Sequence, residues 1–124
     1  MASAKSAAFP AYDQEIAHVA TAMAHPARLA ILHLMADRQR RLSGEITAAL
    51  PLARTTVSQH LVALRKSGLL CAEAQGLTIS YWLNPEVAPT ALRRLASYCA
   101  ALVHCPVCKQ SVACGCFKDG HRRR

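Results

Sequence analysis

Apolar positions recur at helical spacing over the first half of the chain, switch to alternation near Leu70 and return to helical spacing after Glu86. Ile16, Val19, Ala20 and Met23 form the stripe of a first amphipathic helix, which starts at Tyr12 and is interrupted at His25-Pro26. A second helix opens on Pro26 and carries Ala27, Ala30, Ile31, Leu34 and Met35, ending in the polar run Asp37, Arg38, Gln39, Arg40, Arg41, read as a basic loop. Ser43 is placed to cap a short third helix with Glu45 in its first turn and Ile46, Ala49 and Leu50 inward; Pro51 ends it. After Leu52-Ala53, a fourth helix puts Val57, Leu61 and Leu64 on one face and stops at Gly68. Two short helices in tight succession, the second polar on its outer side, predict a helix-turn-helix.

Beyond Gly68, Leu70, Ala72 and Ala74 alternate, followed by Leu77, Ile79, Tyr81 and Leu83, with Gln75-Gly76 as the turn of a β-hairpin. A last helix from Glu86 aligns Leu92, Leu95, Cys99 and Leu102, with Arg93 and Arg94 off the stripe. The fold class is therefore mainly α with a small β-hairpin wing: five helices in a winged helix-turn-helix. Residues 1–11 read as a flexible arm, 12–104 as the DNA-binding and dimerisation domain, and 105–124 as a cysteine-rich basic tail. That tail has too few large apolar residues to fold without a cross-link or a metal.

Charge turns this architecture toward a partner. With 15 Lys and Arg against 7 Asp and Glu, the formal net charge is +8, which favours a polyanion. The N-terminus has no apolar export segment and no run of about 18 apolar residues occurs, so a cytoplasmic protein without membrane contact is expected. No acidic residue lies between Ile46 and Ala72, whereas Arg54, Arg65 and Lys66 do, so this segment repels no phosphate. Thr55, Thr56, Ser58, Gln59 and His60 add short hydrogen-bonding side chains near a helix start, and Gln59 has the amide that can bridge an adenine edge. These eight residues are the candidate DNA contacts, the cations positioning the protein and the polar groups reading bases. Capping by the hydroxyls and inward packing of His60 are the structural alternatives.

From Ala20 to Leu83 the chain resembles the ArsR/SmtB repressors. The stretch 22–32, AlaMetAlaHisProAlaArgLeuAlaIleLeu, is similar to the start of their second helix, ThrThrValSerGlnHisLeu to their recognition helix, and LeuArgLysSerGlyLeuLeu to its exit into the wing. The resemblance implies a homodimer paired through its first and last helices, bound to palindromic double-stranded operator DNA and released by an inducer. Two positions depart from the pattern. The turn Gln75-Gly76-Leu77-Thr78 lacks the arginine such wings often carry, and Ala53 stands where a capping hydroxyl is expected.

Six cysteines in a chain without an export signal read as metal or redox chemistry rather than a disulfide framework. Cys71 stands alone and reads as packing. Cys99, Cys105, Cys108, Cys114 and Cys116 follow the spacing C-x5-C-x2-C-x5-C-x-C. Four thiolates suit tetrahedral Zn(II), with Cd(II) beside it; three suit the pyramidal geometry of As(III) or Sb(III). The family's cysteine site on the third helix is vacant here, as are the Asp and His zinc ligands of its last helix. A subset of arsenic-responsive members places cysteines just after the last helix, one of them five residues beyond a pair. The resemblance thus implies As(III) as inducer at Cys105, Cys108, Cys114 and Cys116, with Cys99 either a further ligand or a small hydrophobe in a dimer interface. Exposed thiols near Lys109 and Lys118 also permit a redox or persulfide switch. From another class, the tail reads as a zinc-stabilised protein-interaction module. His104 and His121 could join such a site. Nothing pairs an acid with a base or a nucleophile with a histidine, so an enzyme is not expected.

Overall fold

The structure, a computed structural model, describes residues 7–104. Five helices and three strands follow in the order α1 (Ala11–Met23), α2 (Pro26–Leu34), β1 (Arg41–Leu42), α3 (Ser43–Ala48), α4 (Arg54–Lys66), β2 (Leu70–Gln75), β3 (Thr78–Leu83) and α5 (Ala88–Val103). This is the winged helix-turn-helix that the hydrophobic periodicity predicts.

α1 buries Ile16, Val19 and Ala22, with Met23 packed against the core. Ala20, expected on this stripe, is exposed, because the inward line passes through Ala22 instead. α2 starts as its sequence requires. Pro26 sits in the first turn, and His25 Nδ1 accepts the Ala27 N–H at 3.0 Å, satisfying one of the free donors of the helix start. The helix tightens into a 3-10 turn over Met35–Asp37, and Arg38 leaves it at φ 63°.

The basic run is not wholly a loop. Arg41 and Leu42 form β1, antiparallel to β3 with Arg41 opposite Tyr81 and Leu42 opposite Ser80, so the sheet order is β1-β3-β2. This extra strand also moves the cap of α3. Leu42, held extended by the ladder, occupies the capping position, and Ser43 lies inside the helix. Glu45 accepts the Leu42 N–H at 3.3 Å, the half of a capping box that an acid at the third helical position can supply.

The hairpin turn is Gly76-Leu77 rather than Gln75-Gly76, because Gln75 pairs with Thr78. Gly76 has φ 63°, and a hairpin loop with positive φ at its first central residue favours glycine there. The wing tip stands clear of the core: Leu77 is fully exposed and Ile79 is 39% exposed, so the inner apolar line of the hairpin consists of Leu70, Ala72, Tyr81 and Leu83. α5 begins two residues later than the periodicity suggests. Asn84 Oδ1 accepts the N–H groups of Glu86 and Val87 at 3.0 and 3.1 Å, a side-chain turn that delays the helix.

Among the described residues Ile31, Met35, Ile46, Val57, Leu61, Leu64, Leu69 and Leu70 are the largest fully buried side chains, contributed by α2 and the 3-10 turn after it, α3, α4, and the entry to β2 with its first residue. Each large aliphatic side chain removed from water stabilises the fold by about 1.5–3 kcal/mol, so α4 is anchored chiefly by Val57, Leu61 and Leu64.

Candidate nucleic-acid interface

α4 is amphipathic in the sense a groove-reading helix requires. Val57, Leu61 and Leu64 face the core, while Arg54, Thr55, Ser58, Gln59, Arg65 and Lys66 are exposed. Thr55, Gln59, Val62 and Lys66 succeed one another at helical spacing and form the middle of the outward face. Val62, 40% exposed, belongs to this face although it was not among the candidates. An apolar contact to a thymine methyl is within its chemistry, and its spacing from Gln59 is the signal that marks it. Thr56 is half-buried. Ala53 leaves the helix start without a side-chain cap, as its methyl group dictates. Backbone N–H groups of the first turn are consequently free of side-chain partners there.

The helix ends at Ser67, whose hydroxyl donates to the Leu64 carbonyl at 2.6 Å. Gly68 follows at φ 90°, a value that bars most side chains. His18 of α1 donates its Nε2–H to the Ser67 carbonyl at 3.2 Å and ties the helix exit to α1.

His60 is positioned differently from its neighbours. It is half-buried and turned to α2, where its Nδ1 accepts the Arg28 Nε–H at 3.3 Å and its ring lies 4.3 Å from that of His25, centroid to centroid. Arg28 also donates to the Thr21 and Ala22 carbonyls at the end of α1, at 3.5 and 3.3 Å. Burial, and then the neighbouring His25 and Arg28, push the His60 pKa below the usual histidine value. A residue proposed from sequence as a DNA contact is thus engaged within the protein, and His25 and Arg28, on no candidate list, become part of the site's support.

The electrostatics are simple. Arg40 pairs with Glu73, Arg41 with Asp37 and Arg94 with Glu15. Among the described residues Arg54, Arg65 and Lys66 form no ion pair, so their charge is directed to solvent. The hairpin lacks a cation of its own. Arg40, however, reaches it from the segment before β1, its guanidinium 3.7 Å over the Trp82 ring and 2.9 Å from the Glu73 carboxylate.

The other candidate site is described in part. Cys99 is exposed on α5, and Cys71 is half-buried on β2. Cys105, Cys108, Cys114 and Cys116 lie outside the described residues, as does His121. Among the described residues no three His, Cys, Asp or Glu side chains are grouped to hold a metal. Towards its C-terminus α5 carries an apolar surface, with Tyr98, Leu102 and Val103 exposed by 37%, 67% and 41%. Against α1 the helix is secured by the Arg94–Glu15 pair and by Tyr12, whose ring centroid is 6.4 Å from that of Tyr98.

Residues 25–71 match the family model described as "Bacterial regulatory protein, arsR family". The HTH-type transcriptional regulator YgaV of Escherichia coli (strain K12) is 29% identical over 75% of this chain and 89% of its own length. The transcriptional activator HlyU of Vibrio cholerae serotype O1 (strain El Tor Inaba N16961) is 33% identical over 64% of this chain and 74% of its own. The solved structure of HlyU from V. cholerae N16961 superimposes with a TM-score of 0.60 at 29% identity, covering 73% of this chain and 99% of that one.

Proposed function

Because the chain belongs to the arsR family of bacterial regulatory proteins, which are DNA-binding transcriptional regulators and not enzymes, we propose that it is an operator-binding repressor whose release is triggered by a thiophilic ion. The observation that carries the DNA half of this reading is the outward face of α4: exposed, polar and cationic, with no carboxylate paired to it among the described residues. Arg54, Arg65 and Lys66 meet phosphates, and Thr55, Thr56, Ser58, Gln59 and Val62 meet base edges in a major groove. His60 braces the helix from behind. Two copies pair through α1 and α5, whose exposed Tyr98, Leu102 and Val103 supply apolar contact, and so place two α4 helices on half-sites one turn apart.

The inducer is As(III), with Sb(III), Zn(II) or Cd(II) as the other ions whose chemistry fits thiolates. Cys105 and Cys108 bind it, Cys114 or Cys116 completes the set, and Cys99, exposed near the end of α5, is near enough in sequence to join. Soft thiolates suit these ions because sulfur donates readily to a polarisable acceptor. Capture at the end of α5 biases the dimer towards an angle between reading helices that does not fit DNA, for which a coupling of about 1–3 kcal/mol suffices.

The test is a titration of operator binding against arsenite, antimonite, cadmium and zinc. Release by arsenite that Cys105→Ser with Cys108→Ser abolishes, with DNA binding intact, supports the reading. Release by an oxidant alone points to a thiol redox switch, and loss of DNA binding in the double variant removes the sensor role.

A further inference from the structure

We propose that Arg28 is a positioning residue for base reading: its Nε–H bond to His60 fixes the recognition helix against α1 and α2 and makes sequence-selective DNA binding require a neutral His60. The inference rests on α4 being the DNA-reading helix.

The argument begins with donors and acceptors. A guanidinium only donates, so the Arg28 Nε–H at 3.3 Å from His60 Nδ1 requires that nitrogen to carry a lone pair. The neutral ring then bears its proton on Nε2. The same logic applies to His25, whose Nδ1 accepts the Ala27 N–H at 3.0 Å. Two imidazoles with centroids 4.3 Å apart are therefore both committed to the Nε2–H form by bonds to their Nδ1 atoms. This commitment also argues against the pair as a metal site, because an ion on Nε2 would leave neither ring nitrogen a proton.

Arg28 bonds both to the end of α1 and to α4. Its NH1 reaches the Thr21 and Ala22 carbonyls at 3.5 and 3.3 Å while its Nε reaches His60. The three-way contact fixes the rotation of α4 at the residue next to Gln59. The charged and titratable groups that act on His60 are His25 and Arg28, both from the start of α2. A proton on Nδ1 replaces the acceptor with a donor facing a guanidinium, beside a second imidazole, and among the described residues no carboxylate acts on the ring to offset it. The bond is lost and α4 loses the contact that sets its rotation. Added charge raises attraction to any DNA, so it is selectivity, and not affinity, that reports the change.

The experiment uses the full chain and a duplex that it selects from a random pool. The ratio of Kd for a scrambled duplex to Kd for the selected one is measured from about pH 8 down to about pH 5.5, within the range where circular dichroism is unchanged. For the natural chain this ratio falls on acidification, by up to about tenfold at about pH 5.5, because a pKa below 6.5 leaves at least about a tenth of His60 neutral there. In His60→Asn the side-chain Oδ1 stands where Nδ1 stood and takes no proton, so the ratio is the same at both ends of the range. In Arg28→Ala it is low throughout. A natural chain whose ratio is constant with pH, or a His60→Asn chain that loses selectivity in the same way, overturns the proposal. A Thr55→Ala/Gln59→Ala chain that keeps its full ratio removes α4 as the reader, and the proposal with it. If that double variant does lose selectivity while the natural chain is indifferent to pH, the Arg28 proposal alone is lost.

Discussion

The Arg40 guanidinium lies 3.7 Å above the ring of Trp82 and holds the Glu73 carboxylate at 2.9 Å, so the segment before β1 is fastened to the outer face of the wing. Both members of the ion pair are about half exposed, where water screens the Coulomb attraction, and the contact with the ring carries more of the binding. Arg40→Ala is expected to cost about 1 kcal/mol in chemical denaturation, and Glu73→Gln well below about 0.5 kcal/mol. Equal losses for the two variants would mean that the ion pair dominates.

Neighbouring residues of α4 separate folding from reading. Leu64→Ala deletes a side chain with no exposure and is expected to destabilise by about 2–5 kcal/mol. Val62→Ala, two positions earlier and 40% exposed, should leave the denaturation midpoint nearly unchanged yet reduce selectivity for a thymine-containing site. A midpoint shift in Val62→Ala comparable to that of Leu64→Ala would place Val62 in the core instead.

Stability follows pH through His60. Its pKa in the folded protein is lowered from the usual 6.5, so over the interval between the folded and unfolded values the unfolded chain binds more protons. Stability is therefore full at neutral pH, declines as pH falls below the unfolded value, and levels off once the folded chain is protonated too. Denaturation midpoints across this interval should slope less in His60→Asn than in the natural chain. An identical slope in the two would assign the effect to other groups.

Two glycines predict opposite signs. Gly68→Ala forces a methyl group onto φ 90° and is expected to destabilise by about 1–2 kcal/mol, although the added Cβ would meet only Val87 Cγ1 at 3.5 Å. Gly44 lies in the first turn of α3 with nothing within 4 Å of a Cβ, and Gly44→Ala should stabilise by about 0.5–1 kcal/mol. Thermal melts of both variants decide the matter.

Pairing through α5 is open to a direct test. Leu102 is 67% exposed on one chain, so Leu102→Glu should leave the single-chain fold unaffected while shifting sedimentation towards the monomer and weakening operator binding. A variant that still sediments as a dimer would move the interface elsewhere.

Much of this molecule was legible in its sequence because the relevant forces are local. The inward faces of α2 and α4 follow from spacing alone, as do the stop at Gly68 and the uncapped start at Ala53. The errors have a common cause, namely contacts between segments distant in sequence. β1 exists only because Arg41 and Leu42 meet β3 some forty residues later, and that ladder displaced the cap of α3 from Ser43 to Leu42. The engagement of His60 by His25 and Arg28 was likewise not legible, because those partners lie about thirty residues away at the start of another helix. The cysteines that motivated a sensor are set by chemistry in the last part of the chain, and of them only Cys99 falls within the described residues.

The Asn84 N–H donates to the Leu69 carbonyl at 2.9 Å while its side chain receives the first N–H groups before α5. Gly68 is thus the last residue of the chain between the exit of α4 and a clamp that also holds the root of α5. The two helices work as arms of a lever with a very short fulcrum. A small tilt of α5 arrives at α4 with little slack to absorb it.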